Sequence, residues 1–237
     1  MILPWPDALA LMGLLVVLPV LAVAQLRMLR GMETVERIPA YVSSALALAV
    51  LGGASWAVGS RSGGASALGL VPLSWGGFAL WTLTLVGAGL ALTAAFRVAG
   101  TALGAREAPL LRKILPRSGR ERAAFAGLSV AAGTGEELAY RGYVIPVLAA
   151  LMGSAAAAAV SSAVFGALHV YQGPLGVARA AALGGLLAWG FLASGSLWPS
   201  MAAHAILDVI LGIALADRFM VPDGPSGVSR AEDLQHP

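Results

Sequence analysis

Long apolar runs recur along the chain and are separated by short breaks that are polar or rich in glycine. A run of about 20 apolar residues is long enough to cross a bilayer as an α-helix. The pattern therefore predicts an all-α fold, a polytopic transmembrane helical bundle of about seven spans. The predicted spans are residues 8–26, 39–59, 75–96, 121–151, 155–170, 175–193 and 199–215.

The most polar stretch is the connection between the third and fourth spans, residues 97–122. Its basic residues are interleaved with leucine and isoleucine, a pattern typical of a short amphipathic helix that lies on an anionic lipid leaflet. A plain basic loop is the alternative. The basic residues are Arg97, Arg106, Arg112, Lys113, Arg117, Arg120 and Arg122, and the apolar ones are Leu110, Leu111, Ile114 and Leu115.

The composition supports a membrane protein and excludes several kinds of site. Hydrophobic residues make up 58% of the 237 positions and charged residues 11%, with a mean hydropathy of +0.82. Cysteine is absent, which excludes disulfides, thiolate metal sites and a cysteine nucleophile. The calculated pI of 9.8 does not indicate a nucleic-acid partner, because the basic residues flank the apolar runs.

The length fits one helical domain. We expect a single transmembrane domain over residues 1–216 and a polar, disordered cytoplasmic tail over residues 217–237. The positions of the basic residues predict the orientation of this domain. With seven spans, the connections after the first, third and fifth spans and the tail share one side, and the other side carries Arg61 alone. The N-terminus is therefore expected outside and the C-terminus in the cytoplasm.

Apart from charged residues near the starts of the spans, six strongly polar residues lie within the predicted spans. An ionised group at membrane depth costs roughly 2.5–3.5 kcal/mol on insertion, so such groups usually mark function. Because each must avoid lipid, we expect these residues to converge on one polar intramembrane cavity. They are Glu136, Glu137, Arg141, His169, His204 and Asp208.

The two adjacent glutamates have different helical neighbours. Residues four apart share a helix face, so Glu137 meets Arg141 and Glu136 meets Tyr140. Glu137 then has a local counterion, whereas Glu136 has none and is suited to act as a general base. The alternative for Glu137 and Arg141 is a buried salt bridge that only fixes the orientation of the helix.

These residue types can activate water for hydrolysis. Glu136 could take a proton from a water that His169 orients, and His204 with Asp208 could stabilise the oxyanion formed at a carbonyl, with Asp208 orienting His204. The same types of residue also bind zinc, with Glu136, His169 and His204 as the ligands if a metal is present. Spacing alone leaves both mechanisms open.

The predicted depth in the membrane is the same for Glu136 and His169 but differs for His204. Glu136 and His169 are each about 24 Å from the turn at Met152-Gly153, at ~1.5 Å per residue. His204 lies only five residues after Pro199. It reaches Glu136 only if the turn near Gly195 dips inward, if the sixth span tilts or shortens, or if Pro146 bends the fourth span.

Three motifs, in this order, resemble those of the CPBP intramembrane proteases, a family that includes the CAAX prenyl endopeptidases of the Ras-converting type and bacterial relatives. The resemblance covers about residues 120–215, a protease-like core. The motifs are Glu136-Glu137-x-x-x-Arg141, Phe165-x-x-x-His169 and His204-x-x-x-Asp208, and Ser196-Leu197-Trp198-Pro199 is also similar to the family.

The resemblance implies an all-helical membrane fold with a cavity open to the cytoplasm and hydrolysis of peptide bonds near or within the bilayer. It implies that Glu136 is the catalytic base, that His169 positions the water, and that His204 and Asp208 lie on the oxyanion side. Glu137 and Arg141 would support them. The family has been described both as metalloproteases and as glutamate proteases, and the unpaired Glu136 favours the metal-free version, with no cofactor required.

The implied partners are membrane lipid and a peptide or membrane-protein substrate that enters the cavity. The expected location is the plasma membrane of a prokaryote, and the oligomeric state is left open. Two other classes of function remain. A non-proteolytic scaffold of the bacteriocin-immunity kind would tolerate loss of Glu136. An ion-coupled transporter would use Glu, His and Asp as a relay, although the two halves show no inverted repeat.

The predicted orientation is testable with reporter fusions. A reporter fused after Pro237 is expected to be active in the cytoplasm, because the basic connections and the tail share one side. A fusion within residues 60–66 should report the opposite side. A C-terminal reporter found outside the cell would contradict this orientation.

Overall fold

The structure is a computed structural model that describes residues 3–30, 35–105 and 108–214. Every regular element among these residues is a helix, which confirms the all-α fold. Six helices in these ranges are regular α-helices: α2 (Arg37–Gly59), α3 (Gly64–Ala67), α4 (Trp75–Ala102), α5 (Pro109–Ile114), α7 (Ser154–Leu168) and α8 (Gly173–Ser194). Three more in these ranges contain a π-helical turn: α1 (Trp5–Met12, the π-helical Gly13–Val17 and Leu18–Arg30), α6 (Gly119–Glu137, the π-helical Leu138–Val144 and Ile145–Met152) and α9 (Trp198–Val209 and the π-helical Ile210–Ala214).

Helix length and composition identify the segments able to cross a membrane. Within the described residues, four stretches are long and apolar enough. Two further apolar helices, α7 and α9, are shorter, and α6 carries Glu136, Glu137 and Arg141 near its middle. The chain is an integral membrane protein, and the count of seven spans stays a prediction. The four stretches are Trp5–Arg27, Arg37–Ser62, Trp75–Ala102 and Val170–Ser194.

Helix α6 is the centre of the bundle. It packs along α2 on one side and along α9 on another, while α7 and α8 form an antiparallel hairpin beside it. Gly135 lies against the backbone of Leu48 in α2, and Gly133 lies against Met201 in α9. Small residues let helix backbones approach closely. The two glycines therefore bring α2 and α9 to the flanks of Glu136.

Two prolines lie inside long helices without ending them. A proline in a helix has no N–H and its ring clashes with the carbonyl four residues earlier. Pro19 follows the π-helical Gly13–Val17, and Pro146 follows the π-helical Leu138–Val144. The wider π turn moves the carbonyl that would clash, so each helix continues. Helix α6 therefore continues through Pro146, and the bend at Pro146 offered above as one alternative stays a prediction.

The turn between α8 and α9 is buried at Ser196 and Leu197, which are 0% exposed, while Gly195 and Trp198 are exposed. Gly195 has a φ of 68°, a left-handed conformation that suits glycine. The Leu197 N–H donates to the Gly69 carbonyl (2.7 Å) and the Ser196 hydroxyl donates to the Val71 carbonyl (2.6 Å). The connection around residues 68–71 thus holds this turn in place, and His204 of α9 reaches Glu137 of α6.

The connection between α4 and α6 contains the short helix that its amphipathic pattern predicts. Two side chains of α2 hold the end of this helix, α5. The Arg37 Nε donates to the Lys113 carbonyl (2.9 Å), and the Tyr41 hydroxyl donates to the Ile114 carbonyl. Contact of α5 with a lipid leaflet stays a prediction.

The predicted tail, residues 217–237, lies outside the described residues, as do the end of the last predicted span at residue 215 and Arg106. The single domain over residues 1–216 and the disordered tail therefore stay predictions.

The close contact between α6 and α9 predicts a sharp difference between two glycines of α6. Gly133→Ala is expected to destabilise the protein by about 1–3 kcal/mol, because overpacking forces the helices apart. The added Cβ would lie 2.6 Å from the Met201 carbonyl oxygen. Thermal unfolding in detergent measures the effect.

Gly127→Ala is the matched control, because a Cβ at this position meets no atom within 4 Å. Alanine favours a helix over glycine by up to about 1 kcal/mol, so this variant is expected to be neutral or slightly stabilising. Equal losses in the two variants would contradict close packing at Gly133.

Candidate active site

A buried ion pair within α6 forms the floor of the site. The Arg141 Nη1 donates to the Glu137 Oε1 at 2.8 Å, and both side chains are 0% exposed. This pair, four residues apart, confirms the contact that helical spacing predicts. Burial of two charges is costly unless further hydrogen bonds compensate for the lost water.

His204 of α9 supplies one such bond. Its Nδ1 lies 2.9 Å from the same Glu137 Oε1. A carboxylate oxygen can only accept, so Nδ1 carries the proton and donates it. Glu137 therefore fixes both the position and the ring orientation of His204, and the Nε2 atom points to the other side.

The Nε2 of His204 lies between two further carboxylates. It is 3.6 Å from Glu136 Oε2 and 3.7 Å from Asp208 Oδ2. The Glu136 side chain is 16% exposed and that of Asp208 is 39% exposed. The structure thus separates a fully buried carboxylate, Glu137, from two that keep access to solvent.

One contact differs from the sequence predictions. Asp208 was expected to orient His204, but Glu137 does so at the shorter distance and from the opposite ring nitrogen. The Tyr140 hydroxyl has a partner that helical spacing does not predict, since it donates to the Leu14 carbonyl of α1 at 3.2 Å.

His169 faces the same space from the end of α7. Its Nδ1 donates to the Phe165 carbonyl at 2.8 Å, because the carbonyl can only accept. The Nε2 of His169 is then the unprotonated nitrogen, an acceptor for a proton or for a water hydrogen. His169 makes no hydrogen bond or ion pair with Glu136 or with His204, so it belongs to the site by its position alone.

Phe165 is the packing centre that joins these groups. Its ring centroid is 4.7 Å from that of His169 and 5.9 Å from that of His204. The Arg141 guanidinium lies over the same ring at 4.3 Å, a cation–π contact that offsets part of its desolvation. Gly184 of α8 leaves room for this guanidinium, since a Cβ there would lie 2.8 Å from Arg141 Nη2.

The π-helical turn of α6 is itself tied to its neighbours. A π turn leaves backbone carbonyls with altered partners and is often found at functional sites. The Ser161 hydroxyl of α7 donates to the Tyr140 carbonyl at 2.8 Å. Since Leu14 lies in the π turn of α1, both π turns accept a hydrogen bond from a side chain of another segment.

A pocket of about 690 Å³ opens beside these residues, within the size range of small-molecule and cofactor sites. Glu136, His169, His204 and Asp208 line one part of it, and most of the remaining lining is apolar. Leucine and isoleucine side chains of α5 line another part.

Sequence reasoning missed a polar group on the wall of this pocket. Arg179, near the start of the sixth predicted span, is only 9% exposed and lines the pocket. Its Nη2 donates to the Gln172 Oε1 at 3.3 Å, and Gln172 donates to the Tyr171 hydroxyl at 3.1 Å. The available signal was an arginine inside an otherwise apolar run.

The arrangement of the acids and histidines also bears on metal binding. Among the described residues, no three His, Asp or Glu side chains are grouped closely enough to bind one metal ion. Glu136, His169 and His204 share the pocket without forming such a group. The mechanism below therefore uses no metal, and independence from metal stays a prediction.

Comparison with known proteins finds one family model that matches part of the chain. Residues 119–210 match the family model described as Rce1-like, type II CAAX prenyl endopeptidase. The matched segment contains all six candidate residues, confirms the predicted resemblance to the CAAX proteases and implies a peptidase. Searches of curated proteins and of solved structures found no significant match.

The buried pair predicts a large difference between two arginines. Arg141→Leu is expected to destabilise the protein by about 3–5 kcal/mol, because it leaves a buried carboxylate without its cation. Arg61→Leu is the control, since Arg61 is 44% exposed in its 3.2 Å pair with Asp7. An exposed pair contributes about 0–1 kcal/mol. Unfolding in detergent measures both, and similar losses would contradict the role of the buried pair.

Proposed function

Because residues 119–210 match the Rce1-like family model, we propose that this chain is an intramembrane endopeptidase that uses Glu136 to activate water. The observation that carries the proposal is the position of Glu136. Its carboxylate lies on the pocket wall, 16% exposed and 3.6 Å from His204 Nε2.

Glu136 is the residue suited to act as the base. Glu137 already accepts hydrogen bonds from Arg141 and from His204 and has no exposed surface. Glu136 makes no hydrogen bond to a described residue and faces the pocket. A general base must reach the proton that it removes, either directly or through one water. Glu136 meets this requirement for a water in the pocket, and Glu137 does not.

The hydrolysis then proceeds in two steps. Glu136 takes a proton from a water whose other hydrogen is accepted by the Nε2 of His169, and the water oxygen attacks the carbonyl carbon of the scissile peptide bond. The tetrahedral intermediate carries a negative oxygen. Protonated Glu136 gives its proton to the peptide nitrogen, the C–N bond breaks, and the products are a carboxylic acid and an amine.

His204 stabilises the negative oxygen of the intermediate. Its Nδ1 is held by Glu137, so a proton on Nε2 points to the pocket as a donor. Asp208 and Glu136 flank Nε2 at 3.7 and 3.6 Å and compensate the charge of an imidazolium there. Arg141 does not reach the substrate, and it acts by holding Glu137.

The tryptophans and most basic residues lie toward opposite ends of the bundle, and the basic residues favour the predicted orientation in the membrane. All six tryptophans lie toward one end of the bundle, at the starts of α1, α4 and α9 or in the last turns of α2 and α8, with one inside α4. Tryptophan is enriched at membrane interfaces, and basic residues favour the cytoplasmic side. Most basic residues flank the opposite ends of the helices, where the pocket is lined by α5. These tryptophans are Trp5, Trp56, Trp75, Trp81, Trp189 and Trp198.

We infer that the substrate is a peptide or a membrane protein that reaches the pocket from the basic, cytoplasmic side. The pocket lining is mostly apolar and the family acts on peptide bonds, which favours a membrane-proximal segment over a soluble polar peptide.

Two variants test the proposed base and its partner. Glu136→Gln and His169→Ala are each expected to lower kcat for cleavage of a membrane-proximal peptide by roughly 10²–10⁴-fold, the usual effect of losing a general acid or base. Purified protein in detergent and mass spectrometry of the products give the rates. Glu36→Gln, at the start of α2 and outside the pocket lining, is the control and should keep wild-type activity.

The same assay distinguishes the alternatives. Full cleavage by both variants would refute the mechanism, and rescue of a cellular phenotype by Glu136→Gln would favour a non-proteolytic scaffold. Activity of protein treated with a chelator, paired with metal analysis, tests the proposed independence from metal. Loss of activity with recovery on zinc addition would contradict it.

A further inference from the structure

Helix α5 lies across the pocket that holds the candidate catalytic residues. Its apolar side chains, together with the residue that follows it, line the pocket and are each partly exposed. We call this set the apolar wall. Its members are Leu110, Leu111, Ile114 and Leu115. An amphipathic helix that only rested on a lipid leaflet would have no reason to present these side chains to the catalytic pocket.

The far end of α5 is fixed by α2. A helix leaves its last carbonyls without partners inside the helix. Arg37 donates to one of them, the Lys113 carbonyl, at 2.9 Å, and Tyr41 donates to the next, the Ile114 carbonyl. The side chains of Arg37 and Tyr41 thus take the place of a helix cap and hold the apolar wall over the pocket.

Arg37 also connects α5 to the start of the catalytic helix. Its Nη1 lies 3.5 Å from Glu121 Oε1, and Glu121 forms a capping box with Ser118 at the start of α6. The helix that carries Glu136 and the apolar wall are therefore positioned by one guanidinium. This link explains an arginine at the first residue of a membrane-length helix.

The near end of α5 contacts the turn that follows His169. Helix α5 packs against Val170–Gln172, and the position of a Cβ on Gly173 would be 3.6 Å from the Ala108 Cβ. The apolar wall therefore extends from the His169 turn to α2, and a substrate beside Glu136 lies within the same pocket as this wall.

We propose that the apolar wall selects the substrate, by binding a large apolar side chain of the peptide close to the scissile bond, with Arg37 as its positioning residue. The proposal rests on the proposed function and deepens it by naming the chemical class that the pocket accepts. A polar side chain at this place would lose its water without gaining a hydrogen-bond partner, since the wall offers only hydrocarbon.

The test uses two sets of variants and a panel of peptides. The peptides carry Leu, Ser or Trp in turn at each position near the scissile bond. With the wild-type protein, at least one position is expected to favour Leu over Ser by roughly tenfold to a hundredfold in kcat/KM, mainly through KM, the range for hydrophobic discrimination in an enzyme pocket. A wild-type protein that accepts Leu and Ser equally at every position would overturn the proposal.

The first variant, with Leu110→Ala and Leu111→Ala combined, should lose most of this preference and should gain activity toward the peptide with Trp, because the pocket is enlarged. A general loss of stability would lower the rates for all peptides alike and would not favour a bulkier one. Unchanged discrimination in this variant would overturn the proposal.

Leu103→Ala is the matched control. Leu103 belongs to the same connection between α4 and α6, is 82% exposed and does not line the pocket. It should keep the wild-type preference. An equal change in Leu103→Ala would assign the effect to lipid contact of the connection and would overturn the proposal.

The positioning role of Arg37 is tested by Arg37→Gln and Arg37→Lys. Arg37→Gln should lower the ratio of kcat/KM for the Leu peptide to that for the Ser peptide, a ratio that a loss of kcat common to both peptides leaves unchanged. Arg37→Lys, which keeps one donor and the charge, should restore part of it. Equal preference in Arg37→Gln and wild type would remove Arg37 from the proposal.

Binding separates failure of this proposal from failure of the proposed function. A fluorescent peptide rich in Leu and a matched Ser peptide are titrated onto the full-length Glu136→Gln protein in detergent. If no peptide is cleaved by the wild type but the Leu peptide still binds in preference, the apolar wall stands and the endopeptidase does not. If cleavage occurs but binding shows no preference, the apolar wall fails alone.

Discussion

One buried carboxylate oxygen, the Oε1 of Glu137, organises the candidate active site. It accepts a hydrogen bond from Arg141 of its own helix and another from His204 of α9. With both partners in place, a negative charge is kept in the apolar interior and a histidine from a distant part of the chain is fixed in one orientation. The opposite face of that histidine is then available to the pocket, where Glu136 and Asp208 lie close to Nε2. The division of labour between two neighbouring glutamates follows from this arrangement. Glu137 holds Arg141 and His204 in place, whereas Glu136 keeps access to the pocket.

The packing of the surrounding helices brings His204 within reach of Glu137. Gly133 and Gly135 allow α9 and α2 to approach the catalytic helix from its two sides, directly before Glu136. The connection around residues 68–71 holds the turn at Ser196 and Leu197 in place, and a residue only two turns along α9 reaches the middle of α6. A π-helical turn after Glu137 lets the same helix continue through Pro146. All three are features of the backbone, and together they bring side chains that are far apart in the sequence to one site.

The pocket combines a small polar surface with a large apolar one. Hydrolysis needs only a base, a group that orients water and a donor for the oxyanion, and these are provided by Glu136, His169 and His204 in the proposed mechanism. The rest of the lining is proposed to bind the substrate. Helix α5 supplies part of that lining from a connection that its sequence alone would assign to the lipid surface, and Arg37 fixes it in place. Selection of substrate and activation of water thus depend on different segments of the chain.

The sequence by itself determined the helical fold, because apolar runs of membrane length have few other structures available. It also picked out polar residues that meet at the pocket, since charges such as Glu136 and Glu137 are costly in apolar runs, and it predicted the contact of Glu137 with Arg141, which lies within one helix. Tertiary structure decided what local spacing cannot encode. That His204 is held by Glu137 and not by Asp208, that Tyr140 turns to α1, and that Arg179 lines the pocket all depend on how separate helices meet. Contacts within one helix follow from a fixed rise and rotation per residue, whereas contacts between helices depend on glycine packing, buried turns and helical phase, and these are settled only when the whole bundle assembles.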